Sequence, residues 1–512
     1  MDQGWDNISD AAMHWAKTRP DAPALYEGHD TISWHMLADH VRAAAVELRG
    51  RGLREDHTIG LAIGNSSELA ILLLAALRIG AIPAVMAPQM KPDARAHLVK
   101  KLEMAALFLE AEPDLRLAPI TINLVPGWRP TPVGRDADAR SARNADENRT
   151  AILSSGGTGD PRAHLSTQRQ RMARAQGRLT AHVRHWSAER PGVLVTTSPL
   201  STAMQQNSLF TQLMIGGAIA IGPPPGSPGH LVRVLAGWDG AVCILNPNQC
   251  RSLLRCAGVD GLLLPRAQLL RSGGEMLSAA DKQALIRRVT PNYCESYGAA
   301  GTGTIALLQP EEVDAKAETV GRPMPGVEVQ IVDASGNALA ANKVGTIRVR
   351  GKATGTGFLS LADNDPAAPE AYRDGWVYPG DLGLLDGDGY LIIKGRASER
   401  IVQDGVEFYA AEVEAAILTL PGVTEAAVVA RPVSGGSGEE AVAFVIKSAD
   451  LAHPVVRAHC AARLTAAKAP RFIYYLDKMP KTAAGKIDKP TLRRFAAQRT
   501  GQKAATTPAK TG

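Results

Sequence analysis

An apolar tripeptide, Ala151-Ile152-Leu153, runs directly into Ser154-Ser155-Gly156-Gly157-Thr158-Gly159-Asp160-Pro161-Arg162. Strand-forming residues that end on glycines and hydroxyls require a tight turn at a strand end. Glycine lets backbone N–H groups approach a ligand, and successive N–H groups form a concavity that suits phosphate. Ser154, Ser155 and Thr158 add hydroxyl donors, and Arg162 adds a fixed positive charge. A solvated Gly/Ser loop is the plain alternative. No Gly-Lys-Ser/Thr follows, so this is not a Walker loop. No G-x-G-x-x-G opens a helix here, so it is not the dinucleotide fingerprint.

Around this loop the chain alternates between the two periods. Helical patterns cover 7–19, with Ser9 as cap, 34–50 and 66–79, and a buried strand covers 59–63. Residues 24–26 and 31–34 flank Gly28-His29-Asp30 as a hairpin. A long polar helix is expected over 167–186, strands over 193–197, 217–221, 241–245 and 269–275, and a helix over 278–288. Such alternation predicts helices covering a largely parallel sheet. Residues 327–351 alternate without a long helix and predict a smaller β unit, and 409–465 predict a compact α/β unit.

At 512 residues the chain exceeds a single core, and 45% hydrophobic with 21% charged residues excludes global disorder. The net charge of +6 carries no Lys/Arg block, which suits anionic small ligands and not nucleic acid. Five cysteines without a C-x-x-C pair argue against a disulfide framework and a zinc site. The N-terminus lacks signal-peptide features, and the apolar run 69–88 is interrupted by Arg78 and Pro83. These features predict a cytoplasmic protein with no membrane span, as a monomer or homodimer.

Three further stretches carry chemistry. Ser272-Gly273-Gly274-Glu275 precedes Tyr297-Gly298-Ala299-Ala300-Gly301-Thr302, where a ring beside glycines can lie against a flat base. Gly375-Trp376-Val377-Tyr378-Pro379-Gly380-Asp381 leads to Lys394-Gly395-Arg396, and Asp381 can accept hydrogen bonds from two adjacent hydroxyls. Lys486 follows Gly485 in a turn, where a mobile point charge can reach an anion. Taken singly, each has a plain alternative: a core tyrosine, a surface hairpin, a solvated lysine.

In this order and spacing the four stretches resemble the signatures of the adenylate-forming superfamily: acyl- and aryl-CoA synthetases, nonribosomal-peptide adenylation domains and luciferases. Gly375 to Leu391 is the most specific part. The resemblance implies an α/β fold. Its large N-terminal domain, 1–395, has two α/β subdomains plus a β subdomain. A small mobile α+β domain, 396–495, carries the catalytic Lys486, and 496–512 form a disordered tail. It implies ATP, Mg2+ and CoA as cofactors and a small carboxylic acid as substrate. Ser154, Ser155, Gly156, Gly157, Thr158, Gly159 and Arg162 would bind the triphosphate. Gly274, Glu275, Tyr297, Gly298, Asp381 and Arg396 would complete the nucleotide site. Ser201, Thr202, Ala299, Ala300, Gly301 and Thr302 would line the acid pocket, and Ala397 and Ser398 would form the hinge.

Four departures bear on this expectation. Arg162 replaces the usual lysine and keeps the charge. Ala300 and Gly301 stand where the family carries a magnesium-holding glutamate, so the metal would bind through phosphates and water. Ser201-Thr202-Ala203 replaces an aromatic-His pair after Pro199-Leu200, and the small residues 299–301 suggest a roomy pocket for an aromatic or cyclic acid. Asp404, near Glu407, puts carboxylates where CoA phosphates would approach. The leading expectation is acid activation with transfer to CoA. The alternatives are transfer to an amine, as in an amide bond synthetase, and a non-catalytic nucleotide-binding relative.

Overall fold

The computed structural model describes residues 4–110, 117–134, 136–154, 162–182, 184–258, 260–355, 357–359, 371–433, 438–482 and 486–498. Near the N-terminus, four parallel strands form a sheet in the order Ile82–Val85, Thr58–Ala62, Ala106–Glu110, Ile120–Leu124. Thr58–Ala62 is buried at every position, as a strand covered on both faces must be. The helices Trp34–Gly50 and Ser67–Arg78 begin at Ser33 and Ser66, whose hydroxyls accept the N–H of Met36 and Leu69 at 3.3 Å. Ser9 does not cap in this way: its hydroxyl donates to Asn7 Oδ1 at 2.8 Å, and the helix is Asp10–Thr18.

The apolar run 69–88 is a buried helix followed by the strand Ile82–Val85. Among the described residues no helix is long and apolar enough to cross a membrane. Arg78 inside that run is buried because Asp138 takes its Nε at 2.7 Å and Asp10 faces Nη1 at 3.3 Å.

A nine-stranded sheet forms the second layer. Its six inner strands are parallel: Pro23–Glu27, Ala218–Ala220, Val193–Val195, Ala241–Leu245, Leu269–Gly273 and Tyr293–Ala299. Antiparallel strands Asp30–Ser33, Gly303–Leu308 and Arg322–Pro323 close its edges. The helix expected over 167–186 starts as expected, at Gln168, and ends earlier, at Ala181. Arg162–Thr167 is a strand that returns antiparallel along Arg149–Ser154, and only then does the helix Gln168–Ala181 start. Thr167 and Gln170 form its capping box, which fixes the switch from strand to helix.

The β unit pairs Val327–Val332, Gly345–Gly351, Asp381–Leu385 and Leu391–Arg396 antiparallel. Arg396 is thus the last residue of a strand and does not follow one. Beyond it the hairpin Arg400–Gln403 and Val406–Tyr409 precedes a three-stranded sheet of Val423–Pro432, Glu439–Lys447 and Phe472–Tyr475. This small domain has its own core around Phe408, Val413, Val428 and Ile473. Its strand Phe472–Tyr475 and helix Lys489–Gln498 were not expected from the sequence. The tail expected from 496 starts no earlier than 499, because Ala496 is buried within that helix; 499–512 lie outside the described residues.

A buried ion pair fastens the helix Ala279–Arg288 to the strand Tyr293–Ala299. Lys282 Nζ bonds Glu295 and also donates to Thr319 O at 2.9 Å. Burial pushes the Glu295 carboxyl up, and Lys282 opposes that shift. Lys282→Met should therefore strand a buried carboxyl and cost about 3–5 kcal/mol in denaturant unfolding. Adding Glu295→Leu should restore most of the loss.

Candidate functional site

The strands Leu269–Gly273 and Tyr293–Ala299 run parallel and end side by side, with Gly273 opposite Ser296. Loops at the carboxyl ends of such strands form the usual crevice of an α/β sheet. Gly274 turns the chain with φ +93, a conformation that glycine adopts freely. At Gly298 a side chain would strike the Gly303 carbonyl, so the ring of Tyr297 is presented from a strand that only glycine can continue.

The Tyr297 hydroxyl donates to Asp381 Oδ2 at 2.7 Å, across 84 residues. Asp381 Oδ1 faces Arg396 Nε at 3.1 Å, its partner in the antiparallel register. Asp381 is 7% exposed while Arg396 reaches solvent. Burial, then the Asp381 charge, raise the Tyr297 phenol well above its ordinary value, so it is a donor at all physiological pH. Each Asp381 oxygen keeps a second lone pair for a further donor.

Lys486 reaches this group from the small domain. Its Nζ donates to Gly274 O at 3.2 Å. Thr482 N bonds Lys486 O at 2.7 Å, and Lys481 bridges to Ile487. Desolvation pulls the Lys486 ammonium below the ordinary lysine value, Glu275 opposes, and Arg396 adds to the lowering. Glu275 in turn is raised by burial and lowered by Lys486. The structure thus gathers Gly274, Glu275, Tyr297, Asp381, Arg396 and Lys486 into one place from three of the four stretches.

Ser155, Gly156, Gly157, Thr158 and Gly159 lie outside the described residues. Ser154 and Arg162 end the two strands that flank them and pair with each other. Of the acid-pocket candidates, Thr202 caps the helix Ala203–Met214 and donates to Pro199 O at 2.9 Å. Thr302 is 1% exposed, and its hydroxyl bonds Ala299 and Gly303 within its own turn. The room expected at Gly301 is already taken: a side chain there would collide with the Tyr372 hydroxyl and stand 3.0 Å from His164 Nδ1. Ala299 and Ala300 remain half-buried beside it, and Ser201 is likewise half-buried ahead of the helix. His164 and Tyr372 were not singled out from the sequence; the unusual glycine at 301 was their one trace.

Ala397 and Ser398 lie in the short 3-10 turn Ala397–Glu399, and Ala397 N bonds Gly380 O at 3.1 Å. Lys489 Nζ clamps this turn through Glu399 at 2.5 Å and Glu414 at 2.8 Å. The carboxylates near the small-domain hairpin are paired: Asp404 with Arg471 at 2.5 Å and Glu407 with Arg400 at 2.7 Å.

The chain is 25% identical to the long-chain-fatty-acid–CoA ligase of Salmonella typhimurium, covering 96% of this chain and 94% of that one. It is 28% identical to the salicylyl-CoA synthase / salicylate adenylyltransferase of a Streptomyces species, covering 94% and 92%. Among solved structures, the o-succinylbenzoate CoA synthetase of Bacillus subtilis, in complex with its acyl-adenylate intermediate, superposes with a TM-score of 0.82 at 20% identity over 97% of this chain and 99% of that one. The AMP-binding enzyme profile matches residues 13–359 and its C-terminal domain profile matches 412–486, so the chain belongs to the AMP-binding enzyme family.

Proposed function

We propose that this protein activates a carboxylic acid with ATP and transfers the acyl group to CoA. In the first step a carboxylate oxygen attacks the α-phosphorus, the bond to pyrophosphate breaks, and an acyl-adenylate forms. In the second the CoA thiol, losing its proton, attacks the acyl carbon and AMP leaves. The carrying observation is the convergence of Tyr297, Asp381, Arg396 and Lys486 around the carboxyl ends of two parallel strands.

In this reading the Tyr297 ring lies against adenine, and Asp381 with Arg396 holds the ribose hydroxyls through the free lone pairs and donors. Ser154 and Arg162, with the loop between them, take the triphosphate. Lys486 bridges the carboxylate and the α-phosphate; a positioned cation there stabilises charge that builds on phosphoryl oxygens. Its hydrogen bond to Gly274 O, at the end of the strand Leu269–Gly273, supports this role. The turn Ala397–Glu399 supports domain limits of 1–395 and 396–498, the second extended from 495 to the end of the helix Lys489–Gln498, with that turn as the hinge, whose rotation would remove Lys486 and admit the acceptor.

Magnesium would arrive with the triphosphate. No carboxylate occupies position 301, and among the described residues no group of three or more His, Cys, Asp or Glu side chains could hold a metal. The acid is taken as aromatic or cyclic on the strength of the salicylyl relative, since the space at Gly301 does not support it. CoA stands ahead of an amine as acceptor because Asp404 and Glu407 each have an arginine partner, which removes the charge argument against CoA phosphates. A cytoplasmic setting is supported by five free cysteines, four of them buried.

Pyrophosphate exchange into ATP with a panel of carboxylic acids tests the first step. Exchange with at least one acid is expected, and ATP binding without exchange for any acid would leave only a nucleotide-binding relative. Lys486→Ala should abolish exchange while leaving transfer from a supplied adenylate within a few-fold of the parent. Equal loss of both steps would contradict its assigned role. Mass spectrometry of the products should give an acyl-CoA, and an amide formed in preference would reverse the choice of acceptor.

A further inference from the structure

The collision that keeps position 301 a glycine exposes a hydrogen-bonded chain. Tyr372 OH lies 3.0 Å from His164 Nδ1, and His164 Nε2 lies 3.1 Å from Ser154 Oγ. The three residues come from separate strands: Ser154 ends Arg149–Ser154, His164 sits opposite Ile152 in Arg162–Thr167, and Tyr372 begins Tyr372–Arg373. Phe358, opposite His164 in the third strand of this small sheet, packs its ring 4.8 Å from the imidazole and edge-on to Tyr372 at 5.2 Å. Arg174 closes the far side, donating to Gly301 O at 3.0 Å and Ser166 Oγ at 2.9 Å. The imidazole is therefore locked in place by aromatic packing and by both ring nitrogens.

The state of that imidazole limits the chain to two directions. Burial first, then Arg174 and Arg162, lower its pKa to about 4, so it is neutral at physiological pH and carries a single N–H. Two polarities are open to it. If Ser154 donates to Nε2, then Nδ1–H donates to Tyr372 and the serine proton is spent inward. If Tyr372 donates to Nδ1, then Nε2–H donates to Ser154 Oγ and the serine proton is free to point outward. In the second arrangement the acceptor among the described residues is Arg162 O at 3.4 Å, longer than a well-formed O–H···O bond. A phosphate oxygen at the loop would be a far better acceptor, and a charged acceptor strengthens the donors behind it.

We propose that Tyr372 and His164 are positioning residues that hold the Ser154 hydroxyl proton toward a phosphate of the bound nucleotide. This rests on the ATP reading given above. It also accounts for the glycine at 301: a larger residue would displace the Tyr372 hydroxyl and break the chain at its source. A neutral donor chain thus occupies the space where the resemblance leads one to expect an acid.

Equilibrium binding of ATP to the full chain tests this. Tyr372→Phe removes one hydroxyl and keeps the ring against Phe358; it should weaken ATP binding about three- to ten-fold, the range of one hydrogen bond. Ser154→Ala should weaken it at least as much. The double variant should match Ser154→Ala alone, because Tyr372 acts only through the serine, whereas independent roles would add. Gly301→Ala should also weaken binding, and by less in the Tyr372→Phe background. Unfolding midpoints without nucleotide, measured on all variants, separate this from a general loss of stability. Parent-like ATP binding by Tyr372→Phe, or additive losses in the double variant, would overturn the proposal and leave the ATP reading intact. A parent chain that binds no ATP would overturn both.

Discussion

The Asp381 carboxylate, held between the Tyr297 hydroxyl and the Arg396 guanidinium, is the tie on which the remaining geometry depends. Tyr297 belongs to the nine-stranded sheet, and Asp381 and Arg396 belong to the antiparallel β unit. One buried acid therefore ties two sheets that also share an apolar core through Ile305, Ala306, Ile347 and Leu391. Arg396 is followed at once by Ala397–Glu399, so the same tie sets where the small domain leaves the large one. The reach of Lys486 to Gly274 O follows from that starting point. A carboxylate with two protein donors and spare lone pairs is also pre-oriented for hydroxyls of a ligand, which costs less than ordering it at the moment of binding.

Behind the site the protein tolerates an unusual density of buried positive charge. Arg171, Arg174, Arg178 and Arg271 are all nearly inaccessible, and among the described residues no carboxylate pairs with them. Carbonyls, hydroxyls and amides serve instead: Arg171 reaches Asn207, Arg178 reaches Thr211 and Asn207, and Arg174 reaches the turn at 300–301. Burial pushes Arg174 and Arg271 down to about 10, still charged at neutral pH. These cations lie on the helix Gln168–Ala181 and on the strand Leu269–Gly273, which runs into the candidate site at its carboxyl end. Burial keeps His164 neutral, and Arg174 from this group adds to the effect.

Local signals in the sequence were read well where they are local in physics. The helix Trp34–Gly50 matches its apolar period to the residue, and Ala241–Leu245 announces itself as five apolar residues. The glycine-flanked tyrosine, the G-D motif and the isolated lysine were each legible because special backbone turns leave a compositional mark. What stayed hidden depends on partners distant in the chain. Arg162–Thr167 becomes a strand only where Arg149–Ser154 supplies its ladder. Phe472–Tyr475 becomes a strand only beside Glu439–Lys447. Gly301 suggested an open pocket, yet its space is filled by a tyrosine and a histidine that spacing alone could not bring there, since they lie 208 residues apart. Thr302 and Thr202 looked like pocket hydroxyls and are consumed by their own turns. A polar residue type indicates capacity for hydrogen bonding; burial and neighbours decide where it is used.

The central claim is that widely separated turns surround one nucleotide and that the small domain delivers a lysine to its innermost phosphate. A crystal of the full chain with α,β-methylene ATP tests it most directly. The account predicts adenine against the Tyr297 ring, both ribose hydroxyls on Asp381, and Lys486 Nζ within hydrogen-bond distance of an α-phosphate oxygen. Nucleotide density in any other cavity, or at this one with Asp381 untouched, would contradict it.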